Sequence, residues 1–135
     1  MNEHDFLSAA MTLARNDTGA GGLVVLTGQT VPMVRFFDIG RVSLPITTVY
    51  TYGSRLAQGL PEAWFIDVSF DAWVEHGAEG LEYDLLDRIE TILSTPAFKA
   101  KGLDVSADMV RRYELTDSIE GRRRAGMDMN VRLTR

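Results

Sequence analysis

The last third of the chain carries two runs that alternate apolar and polar residues, 103–115 and 122–133, joined by a short polar stretch. In the second run Ala125, Met127, Met129, Val131 and Leu133 share one parity, against Arg124, Gly126, Asp128, Asn130 and Arg132. In the first, Val105, Ala107 and Met109 oppose Asp104, Ser106 and Asp108. A period of two predicts strands with one face on a core and one on water or a partner. The methionines fall on the apolar parity and are expected in the core. Residues 64–74 predict the central strand, with Ile66, Val68, Phe70, Ala72 and Val74 inward and Asp67, Ser69 and Asp71 outward. Phe65 and Trp73 share that outward parity, so the polar face is expected to be partly covered. Residues 46–52, rich in β-branched and aromatic side chains between Pro45 and Gly53, predict another strand. The stretch 54–61 reads as a turn.

Helical spacing appears twice. Phe6, Leu7, Ala10, Leu13 and Ala14 predict a short amphipathic helix over 3–15. Leu81, Leu85, Ile89 and Ile92, widened by Leu86 and Leu93, predict the main helix over 78–94. Glu79, Glu82 and Asp84 suit the positive end of its dipole, and Thr95-Pro96 ends it. Between these signals, 16–22 reads as a loop, 23–27 as a brief β-prone run and 32–41 as ambiguous. The expected fold is therefore α+β. An antiparallel sheet of about four main strands packs against one major helix, with a short N-terminal helix and a variable loop or strand-pair segment.

Composition narrows the function classes. With 135 residues the chain is expected to form a single domain, 1–135. It has no cysteine, which removes disulfides and thiolate metal sites. A net charge of -5 argues against non-specific DNA binding over the whole surface, and no helix carries the basic residues of a DNA reader. No apolar run reaches the roughly 20 residues of a membrane span, and the polar start is unlike a secretory signal. A soluble protein of the cell interior is expected.

Candidate chemistry is sparse, and the chain is read as a non-enzyme with no cofactor and no metal. Asp67 and Asp71 share a strand face about 13 Å apart, too far to share a metal or a proton, and are expected to be solvated or to face a partner. His4 and His76 are the only histidines and read as surface or capping residues. Gly19 to Gly22 lacks the preceding strand and the following GK[ST] of a phosphate loop. Thr27 to Thr30 is turn chemistry. The strongest charge signal is Arg122, Arg123 and Arg124, with Arg111 and Arg112 on the neighbouring strand. If the strands pair, these are expected to gather at one end of a hairpin beside Glu114, Asp117 and Glu120. They form either a self-compensating edge or a patch for an acidic surface or passing DNA.

From Leu44 onward the order of elements resembles the tail terminator (tail completion) proteins of long-tailed bacteriophages and gene transfer agents. The features that carry the resemblance are the strand start Leu44-Pro45-Ile46-Thr47 and the aromatic strand 63–74 ending in Asp71-Ala72-Trp73. The helix 78–93 and a closing pair, 111–117 with 121–133, complete it. The N-terminal helix also fits. The departure is 19–42, longer and more apolar than the family pattern. The resemblance implies a structural virion protein of the tail-neck region, assembled in the host cytoplasm. It implies a homo-oligomeric ring, a hexamer, that caps the tail tube, ends its growth and meets the head-tail connector or stopper protein. DNA then passes through the lumen unread, and acidic lining residues would repel its phosphates. A closed ring needs two different complementary patches per subunit. Phe65 and Trp73 are expected in one, Phe36, Phe37 and Val34 in the other, and Arg111, Arg112, Arg122, Arg123 and Arg124 at subunit or partner contacts. Two other readings stand beside this one. The first is a head completion or neck (connector) protein. The second is a small-molecule-binding α+β domain using Asp67, Asp71 and Trp73, which would show a concave pocket with perturbed pKa values.

Overall fold

A computed structural model describes residues 3–56, 63–96, 103–115 and 122–134; at 53–56, 63–64, 103–110, 115 and 133–134 it describes the backbone path alone. The elements are α1 (Glu3–Arg15), α2 (Leu23–Thr27), β1 (Met33–Arg35), a 3-10 helix (Phe36–Arg41), β2 (Ile46–Leu56), β3 (Ala63–Glu75), α3 (Leu81–Leu93), β4 (Leu103–Leu115) and β5 (Arg122–Thr134). One five-stranded sheet runs β1-β2-β3-β5-β4. β2, β3, β5 and β4 pair antiparallel, and β1 adds three residues parallel to β2. The fold is α+β, with β3 at the centre.

Helices cover one face of this sheet. Phe6, Ala10 and Ala14 of α1, Leu23 of α2 and Leu85, Leu86, Ile89, Ile92 and Leu93 of α3 bury their apolar stripes there. They meet Ile66, Val68, Phe70, Ala72 and Val74 of β3 and Ala125, Met127, Met129 and Val131 of β5. Phe6 and Phe70 meet edge to face at 6.5 Å. The inward parity expected for β3 and for residues 125–131 is the one observed. The inward placement expected for Val105, Ala107, Met109 and Leu133, the outward one for Asp104, Ser106 and Asp108, and the polar stretch with Asp117 and Glu120 lie outside the described residues.

Three local expectations are corrected. Residues 23–27 form α2 and no strand. Asp17 holds the start of that helix, accepting from Leu23 N–H through Oδ2 at 2.8 Å and from Val24 N–H through its carbonyl at 3.2 Å. Gly28 at φ +67 ends it in the left-handed region. Burial of Leu23 in the core outweighs the β preference of two valines. Second, 54–56 is no turn: β2 continues there, opposite 64–66 of β3. The register slips by one residue between Thr51 and Gly53, a bulge at the glycine. The rest of that expected turn, 57–61, lies outside the described residues. Third, β4 does not alternate uniformly along its length. Between Ser106 and Arg111 it advances five residues while β5 advances two, from Asn130 to Asp128. The odd difference exchanges the faces, so Arg112 and Glu114 stand on the helix side and Arg111 and Tyr113 on the other.

Asp17 also ties the helical layer together. Its carboxylate accepts from Arg88 Nε at 2.8 Å and Nη2 at 2.5 Å, a two-pronged pair between the loop 16–22 and α3. The hydrogen bond from Arg88 holds the Asp17 carboxyl below its ordinary range, and Asp17 raises Arg88 in turn. Gly22 is needed for this packing, since a Cβ there would lie 2.4 Å from the Asp17 carbonyl oxygen. Of the glycines in 19–22, Gly22 serves this close backbone approach and Gly21 takes the left-handed region at φ +73.

Candidate interaction face

Outward parity on adjacent strands assembles the other face of the sheet. Thr48, Tyr50 and Tyr52 of β2, Asp67, Ser69, Asp71 and Trp73 of β3, Arg122, Arg124, Gly126 and Asp128 of β5, and Arg111 and Tyr113 of β4 meet there. None of α1, α2 and α3 packs on it.

At one end lies a stack of aromatic and guanidinium groups. Trp73 Nε1 donates to Thr48 Oγ1 at 3.0 Å. Phe36, from the 3-10 helix, packs 6.2 Å from the Trp73 ring and 5.2 Å from Tyr50, which continues to Tyr52 at 5.9 Å. The Arg124 guanidinium sits over Trp73 at 4.7 Å and over Phe36 at 5.8 Å, and Arg122 lies 5.8 Å from Trp73. Each such contact is worth about 0.5–2 kcal/mol, more as water is excluded. Trp73 is only 4% exposed as a result. The partial cover expected over this face is supplied at Trp73 by this chain's own Phe36 and arginines. Phe65 is partly exposed on the same parity. Phe37 is the opposite case at 89% exposed, edge-on to Phe36 at 6.1 Å. Val34 of β1 is partly exposed.

Next to the stack is an open groove of about 640 Å³ lined by Tyr50, Tyr52, Arg111, Tyr113 and Asp128. The Tyr113 hydroxyl donates to Asp128 Oδ1 at 3.2 Å and shares a hydrogen bond with Ser69 Oγ at 3.1 Å. Arg111 Nη2 donates to Asp128 Oδ2 at 3.1 Å. Further along, Asn130 Nδ2 donates to Asp67 Oδ1 at 3.1 Å. Gly126 makes room for this arrangement. A Cβ on it would lie 2.5 Å from the Tyr113 ring and 2.7 Å from Asp71 Oδ1.

Behind the Tyr113 ring sits Asp71, 1% exposed, with neither carboxylate oxygen in a hydrogen bond. The expectation of a solvated Asp71 is corrected. Its nearest cation is Arg124, with Nε 3.9 Å from Oδ1. Burial pushes the Asp71 carboxyl up to about 6, Arg124 opposes the rise and Asp128 adds to it. Burial likewise pushes the Tyr113 hydroxyl up to about 12, and raises Tyr52. The groove can therefore present phenol rings and one exposed guanidinium, with a buried carboxyl behind Tyr113 that changes charge in mildly acidic solution.

The five candidate arginines do not gather. Successive residues of a strand point to opposite faces, so Arg111, Arg122 and Arg124 stand on the open face and Arg112 and Arg123 on the helical one. Arg112 pairs with Asp87 at 2.5 Å and Glu90 at 2.8 Å of α3. Arg123 pairs with Glu79 at 3.1 Å, Glu82 at 3.7 Å and Glu114 at 4.0 Å. Arg111 stands opposite Asp128, while Leu115, four residues on, stands opposite Arg124. The two outward groups are thus about 13 Å apart along the strands. His4 Nδ1 lies 3.1 Å from Arg35 Nη2, and His76 is exposed in the turn before α3. Among the described residues no group of three His, Cys, Asp or Glu side chains could hold a metal ion. Missed in the sequence were Tyr50, Tyr52, Tyr113, Ser69 and Asp128. The available signal was Gly126, a glycine inside an alternating strand, which marks close approach by another group.

In comparisons with protein-family models and with curated proteins, no match to this sequence was found. Among the described residues no helix is long and apolar enough to cross a membrane.

Proposed function

We propose that this chain is a structural subunit of a phage-type tail: a terminator that assembles as a ring on the tail tube, ends its growth and offers a surface to the head-tail connector. The observation that supports the reading best is the one-sided sheet. Helices fill one face, while the other carries a tyrosine-lined groove, and the 3-10 helix whose Phe36 packs on that face bares the phenyl ring of Phe37. Aromatic and arginine side chains of this kind concentrate at protein interfaces. The order helix, variable segment, two strands, helix, two strands is the order that carries the resemblance. In this reading the self-association makes a ring of about six copies, the tail tube protein and the connector are its partners, and DNA traverses the lumen without base readout. A neck protein would share the ring and differ in its partner, binding portal or adaptor instead of tube.

The test is absolute mass by light scattering over a concentration series, with and without tail tube protein. Rings of about six copies that bind the tube support the terminator; rings that bind only portal or adaptor support the neck protein. A second reading, a small-molecule site, has one observation in its favour. The groove brings Tyr113, Asp128 and Arg111 together beside a carboxyl titrating near 6. A monomer at all concentrations, inert toward tail tubes and stabilised by a small ligand, would establish that reading instead.

A further inference from the structure

We propose that the tyrosine-lined groove on the open face is the seat for Phe37 of a neighbouring copy, so that each subunit gives a phenyl knob to the next and accepts one from the previous. The inference rests on the assembly reading above and names the two patches that meet.

Phe37 is 89% exposed, the most exposed large apolar side chain among the described residues. It does not fold back onto its own sheet, because Phe36 already occupies the position against Tyr50 and Trp73. Among the described residues no side chain fills the groove. Its volume of about 640 Å³ in an open groove leaves ample room for one aromatic side chain. Three phenol rings, Tyr50, Tyr52 and Tyr113, provide faces and edges for a fourth aromatic ring. The Arg111 side chain at the rim is 77% exposed and gains a ring to cover.

Charge agrees with this occupant. Arg41 is exposed on the same 3-10 helix as the knob, and the groove side carries Asp128 and Asp67. Asp38 of the knob segment would face Arg111, whose Nη2 already pairs with Asp128 at 3.1 Å. At the groove itself the single guanidinium, Arg111, is already paired with Asp128, and Asp67 lies further along, so among the described residues no unpaired cation is set there to hold a phosphate backbone on the tyrosines. A knob given to one neighbour and a groove filled by another form a heterologous contact, the kind that closes rings. Two copies exchanging knobs reciprocally would close a two-fold dimer, and a wild type that stops at a dimer would overturn the ring.

The test uses two variants that each lose one half of the contact. Phe37→Asp removes the knob and Tyr52→Ala opens the groove; Arg111→Glu is a second groove variant at an exposed position. Melting curves establish that each is folded. Alone, each variant should need at least about thirtyfold higher concentration than wild type to associate, the loss typical of a central interface residue. Mixed in equal amounts, knobless and grooveless subunits should form a one-to-one dimer and nothing larger, since only one intact contact remains. Tyr83→Ala, on α3, should assemble like wild type. Where wild type assembles only at tube ends, the same series is read there. Phe37→Asp associating as strongly as wild type would overturn the knob-and-groove contact while leaving the ring intact. A wild type that neither associates nor binds tubes would remove the assembly reading itself. A mixture that stays monomeric while wild type forms rings would also overturn the proposal.

Discussion

Replacing Asp71 by Asn should stabilise the fold, and should do so only above mildly acidic pH. The carboxylate is almost fully buried, makes no hydrogen bond, and has Arg124 no nearer than 3.9 Å. A carboxyl at about 6 against an ordinary 3.8 binds its proton more tightly folded than unfolded. Its favourable contribution is fully present below about pH 4 and is lost as pH rises through 6. The displacement corresponds to about 3 kcal/mol by linkage. Asn cannot ionise, so the stability difference between variant and wild type should grow by about 3 kcal/mol between pH 4 and pH 8. Urea denaturation at half-unit pH steps measures it, because every other titrating group is common to both proteins and cancels in the difference. At pH 8 the gain corresponds to roughly 10 °C in melting temperature. A difference that stays flat with pH would refute the buried-carboxyl argument. A variant that loses ground above pH 6 would show that attraction to Arg124 outweighs burial.

Removing the tie between the loop and α3 with Asp17→Ala should cost about 2–4 kcal/mol, since it strands the Arg88 guanidinium and the first N–H of α2. Because the Asp17 carboxyl is lowered, that contribution is present at neutral pH and fades as pH falls below about 4, so wild type and variant should converge in acid urea titrations. Gly126→Ala should cost about 1–3 kcal/mol by overpacking against Tyr113, and Tyr113→Ala in the same chain should recover part of it in a double-mutant cycle. Arg112→Ala, which breaks only solvent-facing pairs to Asp87 and Glu90, should change urea stability by less than about 1 kcal/mol.

The hydrophobic pattern was a good guide wherever one rule decided the outcome. In β3, β5, α1 and α3 a single apolar parity or stripe faces one layer, and burial selects the register. It failed where tertiary contacts overrode local preference. Leu23 to Thr27 became helical because Asp17 and Gly22 prepared a helix start for it. The register slip in β4 was invisible, since alternation of residue types does not reveal an inserted stretch. That slip, with strand alternation, also separated the arginines that looked clustered. On the open face, Trp73 and Phe37 carried similar signals but ended 4% and 89% exposed. What separated them was a contact from Phe36 across many residues of chain, which no local pattern encodes. The groove was hidden for the same reason, being assembled from β2, β4 and β5.

The most direct test of the assembly account is tube growth itself. Tail tube protein polymerising in the presence of increasing amounts of this chain should give progressively shorter tubes, each with a ring of about six copies at one tip in negative-stain images. Tubes of unchanged length with bare tips, at concentrations where the chain is folded, would contradict it.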